Sequence, residues 1–218
     1  MRLVSWNVRK AVGLDWRRDP SRVLAVLEAL APDVVLLQEA DRRLGPRPAA
    51  LPQTLVERSG FQVVDAAPGP SIGHHGNAVL LRGGVRALRH RPIDLPGLEP
   101  RGALAVEVET PRGPLWVCGA HLGLRRRDRR AQMRALLAAL PDRAVVGGDW
   151  NEWSRDPAVL GIAPPWRMVV PGPSFHAARP VMALDRFAAR GLRLHGARVE
   201  GGRRASDHLP VVVEVDQE

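Results

Sequence analysis

The stretch "AVVGGDWNEW", residues 144–153, joins an apolar run to a short polar segment. The run is short, rich in valine and closed by two glycines, a pattern that predicts a buried β-strand. Asp149 and Asn151 follow where that strand ends. Because loops at strand ends commonly carry reactive groups, a carboxylate and an amide at this position indicate a candidate functional site.

Outside this stretch, several short β-branched runs bounded by turn residues also predict strands. They are "RLVSWNV", "DVVLLQE", "NAVLLR", "GALAVEVET", "PLWVCGAHL" and "PVVVEV". Within the fourth run, "ALAVEVE" alternates strictly, which predicts a strand with one face in water. Strands of this kind interrupted by helices, without a regular βαβ alternation, favour a layered α/β sandwich.

Two longer segments have apolar residues at helical spacing. In "DPSRVLAVLEALAP", Asp19 is the predicted N-cap and Pro20 the first helical residue. The second helix covers "RRRDRRAQMRALLAALP" and is closed by Pro141, and a third is predicted over "LPQTLVERSG", ended by Gly60.

Length and composition favour one soluble domain over residues 1–218, with 45% apolar and 25% charged residues. No run approaches the roughly 18 apolar residues of a membrane span, and the first residues do not resemble a signal peptide. Cys118, the only cysteine, excludes an internal disulfide and favours a reducing, cytoplasmic location. Its apolar surroundings predict a core residue and not a catalyst.

The formal net charge of +9 suggests an anionic partner. A general replacement of lysine by arginine is the alternative explanation, because Lys10 is the only lysine. Charge alone therefore favours a polyanionic substrate only weakly.

Polar residues lie at the ends of several predicted strands and near the C-terminus. They are Asn7, Gln38, Glu39, His121, Asp149, Asn151, Asp185, Ser206, Asp207 and His208. The adjacent Ser206, Asp207 and His208 do not predict a serine hydrolase, because neighbouring strand residues point to opposite faces. An oxygen-rich set without cysteine suits Mg²⁺ or Mn²⁺ better than zinc.

Seven motifs in order along the chain resemble the endonuclease/exonuclease/phosphatase superfamily, which has the DNase I-like fold. The motifs are "SWNV", "PDVVLLQE", "GNAVLL", "GAHL", "GDWNE", "ALDRF" and "SDHLPV". The resemblance implies a four-layer α/β sandwich, in which two mixed β-sheets pack face to face with helices outside. It places the site at one end of the sandwich, where the loops gather.

The resemblance also implies how metal and substrate are bound. Glu39 corresponds to the principal metal carboxylate, Asn7 lies close to the metal, and Asp207 approaches it through water. Asn77, carried by "GNAVLL", is assigned to substrate binding. The cofactor implied is Mg²⁺ or Mn²⁺.

The catalytic roles follow from the same motifs. Asp149 orients or deprotonates the attacking water, and Asn151 binds a phosphate oxygen. His208 acts as a donor or general acid at the scissile phosphate, with Asp185 behind its ring to fix the tautomer. His121 is a second donor near the phosphate.

Some positions depart from the family pattern or have no assigned role. The chain has no tyrosine, whereas the exonuclease III-like branch uses one to contact phosphate, so that branch is disfavoured. Arg101 could replace it as a phosphate donor; a surface arginine at a strand entry is the equal alternative. No role is assigned to His74, His75 or His176. For the first two, a solvated loop is the favoured interpretation and a position lining the site is the alternative.

An arginine-rich run crowds the start of the second predicted helix and begins with Arg125 and Arg126. Cations are disfavoured near a helix N-terminus, by about 0.3–1 kcal/mol each when exposed. This conflict suggests binding of the phosphates that flank the scissile bond, with a solvated face as the alternative.

The sequence therefore predicts a Mg²⁺-dependent phosphodiesterase, a nuclease acting on DNA more than RNA, without stable membrane association. A phosphodiesterase or phosphatase for lipid or sugar phosphates is the first alternative. A non-catalytic nucleic-acid-binding module is the second. Endonucleolytic or exonucleolytic action, one or two metals, and oligomeric state stay open.

Overall fold

Two six-stranded β-sheets form the centre of the computed structural model, which describes residues 1–40, 49–66, 72–201 and 204–216. The strands of the described ranges are β1 Arg2–Asn7, β2 Val34–Gln38, β3 Phe61–Val63, β4 Ala78–Arg82, β5 Ala87–Leu95, β6 Arg101–Val108, β7 Leu115–His121, β8 Ala144–Asp149, β9 Arg167–Val169, β10 Asp185–Arg190, β11 Arg193–Val199 and β12 Val211–Asp216. The α-helices are α1 Pro20–Leu30, α2 Gln53–Arg58 and α3 Arg126–Ala139, with short 3-10 helices at Arg9–Ala11 and Pro157–Leu160.

Each sheet is mixed and has one parallel pair of strands near its middle. The first sheet has the order β11-β12-β1-β2-β4-β3, and the second has the order β5-β6-β7-β8-β10-β9. Strand β1 is parallel to β2, and β7 is parallel to β8, while the other neighbours are antiparallel. The predicted pair of mixed sheets is confirmed.

The main core lies between the two sheets, where apolar side chains of both meet. Leu36 of β2, Leu104 of β6 and Phe187 of β10 belong to this buried cluster. Helices α1 and α2 cover the outer face of the first sheet, and α3 covers that of the second, each through a further apolar cluster. The predicted four-layer sandwich is therefore present.

The predicted helix ends are confirmed where capping chemistry determined them. Asp19 Oδ1 accepts a hydrogen bond from the Ser21 backbone N–H at 3.0 Å, and Pro20 is the first residue of α1. Gly60 follows α2 with a φ of +76°, a conformation that glycine adopts without steric cost. Helix α3 ends at Ala139, shortly before Pro141.

The prediction that β6 has one face in water is wrong, because all of its residues are buried. Leu104 and Val106 point into the core between the sheets, while Ala103 and Ala105 face the cluster under α3. Glu107 is covered by the guanidinium of Arg89, which binds it at 2.7 Å. The alternation therefore reflects two buried faces of different volume, not a buried and a wet face.

Candidate active site

The two parallel strand pairs end at the same point of the molecule and bring their last residues together. Asn7 of β1 is in register with Gln38 of β2, and His121 of β7 with Asp149 of β8. Asn7 Nδ2 donates to Asp149 Oδ2 at 3.0 Å, which joins the ends of the two sheets. Side chains far apart in sequence therefore surround one place.

The two glycines before Asp149 are required by the close packing of β8. A Cβ at Gly148 would lie 1.8 Å from the Ala120 carbonyl oxygen. A Cβ at Gly147 would lie 2.6 Å from the ring of Phe187. Any side chain at either position would push β8 away from its neighbours and displace the Asp149 carboxylate.

Glu39 lies directly after β2 and turns its carboxylate towards the end of the other sheet. Its φ of +51° is in the left-handed region, which bends the chain out of the strand direction. The carboxylate is 3.1 Å from Lys10 Nζ and 3.5 Å from Asn7 Nδ2. The Asn7 amide reaches both Glu39 and Asp149, and both carboxylates line one cleft. Their oxygens are of the kind that suits Mg²⁺.

His208 is held between two carboxylates. Its Nδ1 donates to Asp185 Oδ2 at 2.8 Å, and its Nε2 lies 3.6 Å from Asp149 Oδ2. Ser174 Oγ also donates to Asp185 Oδ2, at 2.5 Å. Ligand atoms of Asp149, Asp185 and His208 all lie within 4.8 Å of one another, so this group also could hold a metal ion.

The buried position and the charges around His208 act on its pKa in opposite directions. Burial lowers the pKa of the imidazole, but the negative charges of Asp185 and Asp149 and the hydrogen bond to Asp185 outweigh it. Together they raise the pKa of His208 to about 10. The ring can therefore carry a proton at neutral pH with Nε2–H directed towards Asp149.

His121 and Asn151 lie beside Asp149. His121 Nε2 is 3.2 Å from Asn151 Nδ2 and 3.3 Å from Asp149 Oδ2. Asn151 adopts a φ of +51°, and its backbone N–H donates to Asp149 Oδ1 at 3.0 Å. This tight turn after β8 fixes the Asp149 carboxylate and points the Asn151 amide towards His121.

These groups open into a cleft of about 680 Å³. Of the predicted residues, its lining includes Asn7, Glu39, Arg101, His121, Arg126, Asp149, Asn151 and His208. Asp185 is fully buried behind His208. The structure thus brings together most of the residues that the motifs singled out.

Arg101 is buried in the wall of the cleft, which contradicts its interpretation as a surface arginine. Its Nη2 binds Glu99 Oε2 at 2.7 Å. Its Nη1 is buried and has no hydrogen-bond partner among the described residues. Because an unpaired buried donor is costly, a guanidinium left in this state suggests an anionic ligand.

Besides the buried Asp185, three predicted residues are not in the lining of the cleft. Asn77 is buried, and its amide donates to the carbonyl oxygens of Gly102 at 2.8 Å and His74 at 3.1 Å. Arg125 is exposed in front of α3, and Asp207 is bound to Arg9 Nε at 3.4 Å. Their roles in binding substrate or metal stay predictions.

Glu152 and Arg129 are important at the site but are not identified by the motifs. Both are buried, and Arg129 Nη2 binds Glu152 Oε2 at 2.8 Å. Glu152 Oε1 accepts from the backbone N–H groups of Trp153 and Ser154, each at 2.9 Å. Within the arginine-rich run, Arg129 is buried and holds the loop after β8. Arg126 is mostly exposed at the cleft, with its Nη2 3.4 Å from Glu152 Oε1.

Burial and hydrogen bonding oppose each other at Glu152. Burial raises its pKa, but the backbone donor at Ser154 and the charge and hydrogen bond of Arg129 lower it more strongly, to about 2. The signal in the sequence was the spacing of an acidic residue after "GDWN" and an arginine one turn into α3. Their pairing depends on how α3 packs on the second sheet.

Cys118 and His176 lie apart from this chemistry. Cys118 is fully buried, and burial raises the pKa of its thiol to about 12, which confirms the predicted core residue. His176 is exposed, and its Nδ1 accepts from the Ala178 backbone N–H at 3.4 Å.

Comparison with known proteins agrees with this geometry. Residues 4–208 match the family described as the endonuclease/exonuclease/phosphatase family. The chain belongs to this family. The predicted assignment, and with it the prediction of an enzyme of a phosphoester-hydrolysing family, is confirmed.

Individual proteins that are similar to this chain differ from it at most aligned positions. The uncharacterized protein YbhP of Escherichia coli is 30% identical over 161 residues, 66% of this chain and 63% of YbhP. The chain thus spans less than two thirds of that protein's length. A family structure from Beutenbergia cavernae has a TM-score of 0.75 at 23% identity, covering 100% of this chain and 71% of that one. TDP2 of D. rerio, complexed with single-strand DNA product, has a TM-score of 0.76 at 21% identity, covering 100% and 99%.

None of the helices within the described ranges has the length and apolar character that a membrane span requires.

Proposed function

We propose that this protein is a Mg²⁺-dependent phosphodiesterase that cleaves nucleic acid, DNA in preference to RNA. The observation that carries the proposal is the arrangement of two carboxylates, Glu39 and Asp149, opposite an imidazole whose far nitrogen is bound to Asp185. Such a site can hold a hard cation, activate water and deliver a proton within one cleft.

Each group has a place in hydrolysis. Glu39, with Asn7 beside it, would hold Mg²⁺, which when bound supplies charge stabilisation for the phosphate oxygens. Asp149 orients the attacking water and accepts its proton. Asp185 keeps the proton on Nδ1 of His208, so that Nε2–H faces the phosphate and serves as donor or general acid.

His121 and Asn151 complete the phosphate site in this proposal. Their side-chain nitrogens are 3.2 Å apart at the edge of Asp149, so an oxygen of the phosphate can contact both. Positioned donors of this kind stabilise the charge that grows on the non-bridging oxygens during in-line attack.

The residues that line the cleft support nucleic acid as the substrate class. Arg101 offers a guanidinium nitrogen that has no hydrogen-bond partner within the part of the chain that the structure describes. Arg126, 63% exposed and 3.4 Å from Glu152, lies at the rim. Trp153 and Leu124 also line the cleft and are 72% and 68% exposed, which gives apolar surface on which bases can stack. The positive net charge and the complex of D. rerio TDP2 with single-strand DNA product support the same substrate class.

The test is cleavage of matched substrates with and without metal. Single-stranded and supercoiled DNA, RNA, an aryl phosphodiester and phospholipid vesicles are incubated with Mg²⁺, with Mn²⁺ or with excess chelator. We expect cleavage of DNA that chelator abolishes and that Asp149→Ala and His208→Ala each reduce by about 10²-fold or more. His195→Ala, at an exposed histidine on β11, is the matched control and should retain full activity.

Other outcomes would contradict the proposal. Turnover of lipid or sugar phosphates with intact DNA would favour the lipid or sugar phosphatase predicted as the alternative. DNA binding without turnover of any substrate would indicate a binding module. Cleavage that continues in excess chelator would contradict the proposed dependence on a divalent metal ion. The cytoplasmic location stays a prediction.

A further inference from the structure

Three side chains outside the cleft lining form a compact cluster at the side of the second sheet. His74 and His75 lie in the turn before β4, and Asp94 lies near the end of β5. His74 and Asn77 exchange backbone hydrogen bonds of 2.8 and 2.9 Å, which close the turn. The left-handed φ of +49° at His75 allows two consecutive imidazoles to converge on one carboxylate.

The distances within the cluster fit a metal ion bound by three ligands. His74 Nε2 is 2.9 Å and His75 Nε2 is 3.4 Å from Asp94 Oδ1, and all three ligand atoms lie within 4.8 Å of one another. In a tetrahedral zinc site, bonds of about 2.0–2.1 Å separate neighbouring ligand atoms by about 3.3 Å. Small side-chain rotations would therefore bring all three atoms into coordination.

Gly102 of β6 makes room for both imidazoles. A Cβ at this position would lie 2.7 Å from Cδ2 of His74 and 2.7 Å from Cδ2 of His75. The Gly102 carbonyl also accepts the Asn77 amide at 2.8 Å, which fixes the turn against the sheet. The backbone of β6 thus positions the two rings edge to face, with centroids 4.5 Å apart.

We propose that His74, His75 and Asp94 form a second metal site that takes a divalent transition-metal ion of the zinc class. Two imidazole nitrogens with one carboxylate suit Zn²⁺, Co²⁺ or Ni²⁺, whereas Mg²⁺ prefers an oxygen-only set. Asp94 is 84% exposed, so water can occupy a fourth position. This donor set differs from the carboxylate-rich set of the cleft, so the two sites take different ions.

The site would fasten the turn at 72–77 to β5 and stiffen the backbone beside the cleft. The Gly76 carbonyl accepts the Ala40 backbone N–H at 3.0 Å, directly after Glu39. A bound ion would therefore stabilise the turn on which the Glu39 segment rests. Its effect is on stability and does not depend on any hydrolytic activity.

The test uses the full chain with any histidine purification tag removed, since a tag binds the same ions. Saturating Mg²⁺ is present to fill the cleft, Co²⁺ is added, and its visible absorption reports coordination. We expect one additional Co²⁺ per chain with the intense bands of a tetrahedral site. Zn²⁺ should displace Co²⁺ and raise the Tm.

Substitutions locate the ion. Each of three substitutions should weaken Co²⁺ binding by about 10–100-fold or more: His74→Ala, His75→Gln and Asp94→Asn. Loss of an outer-shell partner of a metal ligand already costs about 10–100-fold, and loss of a ligand itself should cost at least as much. His195→Ala is the matched control, because His195 forms an exposed pair with Asp216 at 3.3 Å. Asp149→Ala, in the cleft, should leave the Co²⁺ spectrum unchanged.

Because Asp94 is exposed, Asp94→Asn should not disturb folding, and far-UV circular dichroism can verify this. Weaker Co²⁺ binding by this variant would therefore report the loss of a ligand. No Co²⁺ binding, binding equal to that of wild type in Asp94→Asn, or loss of the spectrum in Asp149→Ala would each overturn the proposal. An inactive protein that still binds Co²⁺ through the histidine cluster would refute only the proposed function.

Discussion

Asp185 shows how one buried residue can determine the chemistry of another. It accepts hydrogen bonds from both His208 Nδ1 and Ser174 Oγ, and it is shielded from water by the histidine ring. A charge in such surroundings is costly unless it is paired. Asp185 therefore stabilises the protonated imidazole and fixes which nitrogen faces the cleft.

Replacing Asp185 by Asn should lower kcat on an aryl phosphodiester by about 10²-fold or more, with a smaller effect on KM. The substitution removes a negative charge that raises the pKa of His208, so the limb of the pH–rate profile that reports the protonated histidine should move to lower pH. Steady-state kinetics across pH measures both effects.

The matched control is Asp216→Asn, which removes the carboxylate of the exposed His195–Asp216 pair. It should keep the kcat and pH profile of the wild type. If Asp185→Asn behaves like this control, His208 does not depend on Asp185 for its role.

At the scale of single elements, β8 is the strand on which the position of the site depends. Gly147 and Gly148, which precede its last residue Asp149, have no space for a side chain. Gly148→Ala should therefore destabilise the protein by about 1–3 kcal/mol or more, the usual cost of overpacking. It should also lower activity, because β8 can relieve the contact only by moving Asp149.

Urea unfolding and activity of Gly148→Ala, compared with Gly83→Ala, test this point. Gly83 is exposed after β4, and the nearest atom to its Cβ would be 3.9 Å away. Gly83→Ala should be close to wild type in both measurements. Equal behaviour of the two variants would show that β8 tolerates a side chain at its end.

The loop after β8 depends on the pair of Glu152 and Arg129, which links it to α3. Glu152→Gln should lower the free energy of unfolding by about 3–5 kcal/mol, because a buried arginine loses its charged partner. Glu109→Gln, in an exposed pair with Arg86, should leave the free energy of unfolding nearly unchanged, because water screens such a pair. Denaturant unfolding at neutral pH measures the difference, and similar losses would contradict it.

The pair of Glu152 and Arg129 also makes the free energy of unfolding depend on pH. The folded-state pKa of Glu152 is about 2, below its ordinary value of 4.5. The stability that it contributes is complete above pH 4.5 and is lost as the pH falls towards 2. Glu152→Gln should remove this part of the acid sensitivity, which unfolding at a series of pH values can detect.

For the whole molecule, the net charge of +9 predicts binding of polyanions that weakens steeply with salt. Binding of a single-stranded oligonucleotide is measured with chelator to prevent cleavage. The logarithm of the association constant should fall linearly with the logarithm of the salt concentration. Arg126→Gln should make this slope less steep by about 0.7, because one phosphate contact to a single strand contributes about that amount.

Arg58→Gln provides the control, because Arg58 is exposed on α2, on the outer face of the first sheet. Its slope should equal that of the wild type. An unchanged slope for Arg126→Gln would mean that Arg126 holds no phosphate, whatever the overall charge contributes.

The sequence by itself determined the alternation of strands and helices and the residues at the strand ends. Apolar runs such as "AVVGGD" and caps such as Asp19 act locally, so they can be recognised without the fold. Strands such as β5, whose residues are mostly exposed and include Arg89 and His90, lack this apolar pattern. Their pairing comes from neighbours, not from their own composition.

Only the tertiary structure decided which distant groups meet. The burial of Arg101, the pairing of Glu152 with Arg129 and the convergence of His74, His75 and Asp94 all depend on how strands and helices pack across the two sheets. Local periodicity carries no information about such distances. They are set by sheet register and close packing, which arise only when the whole chain has folded.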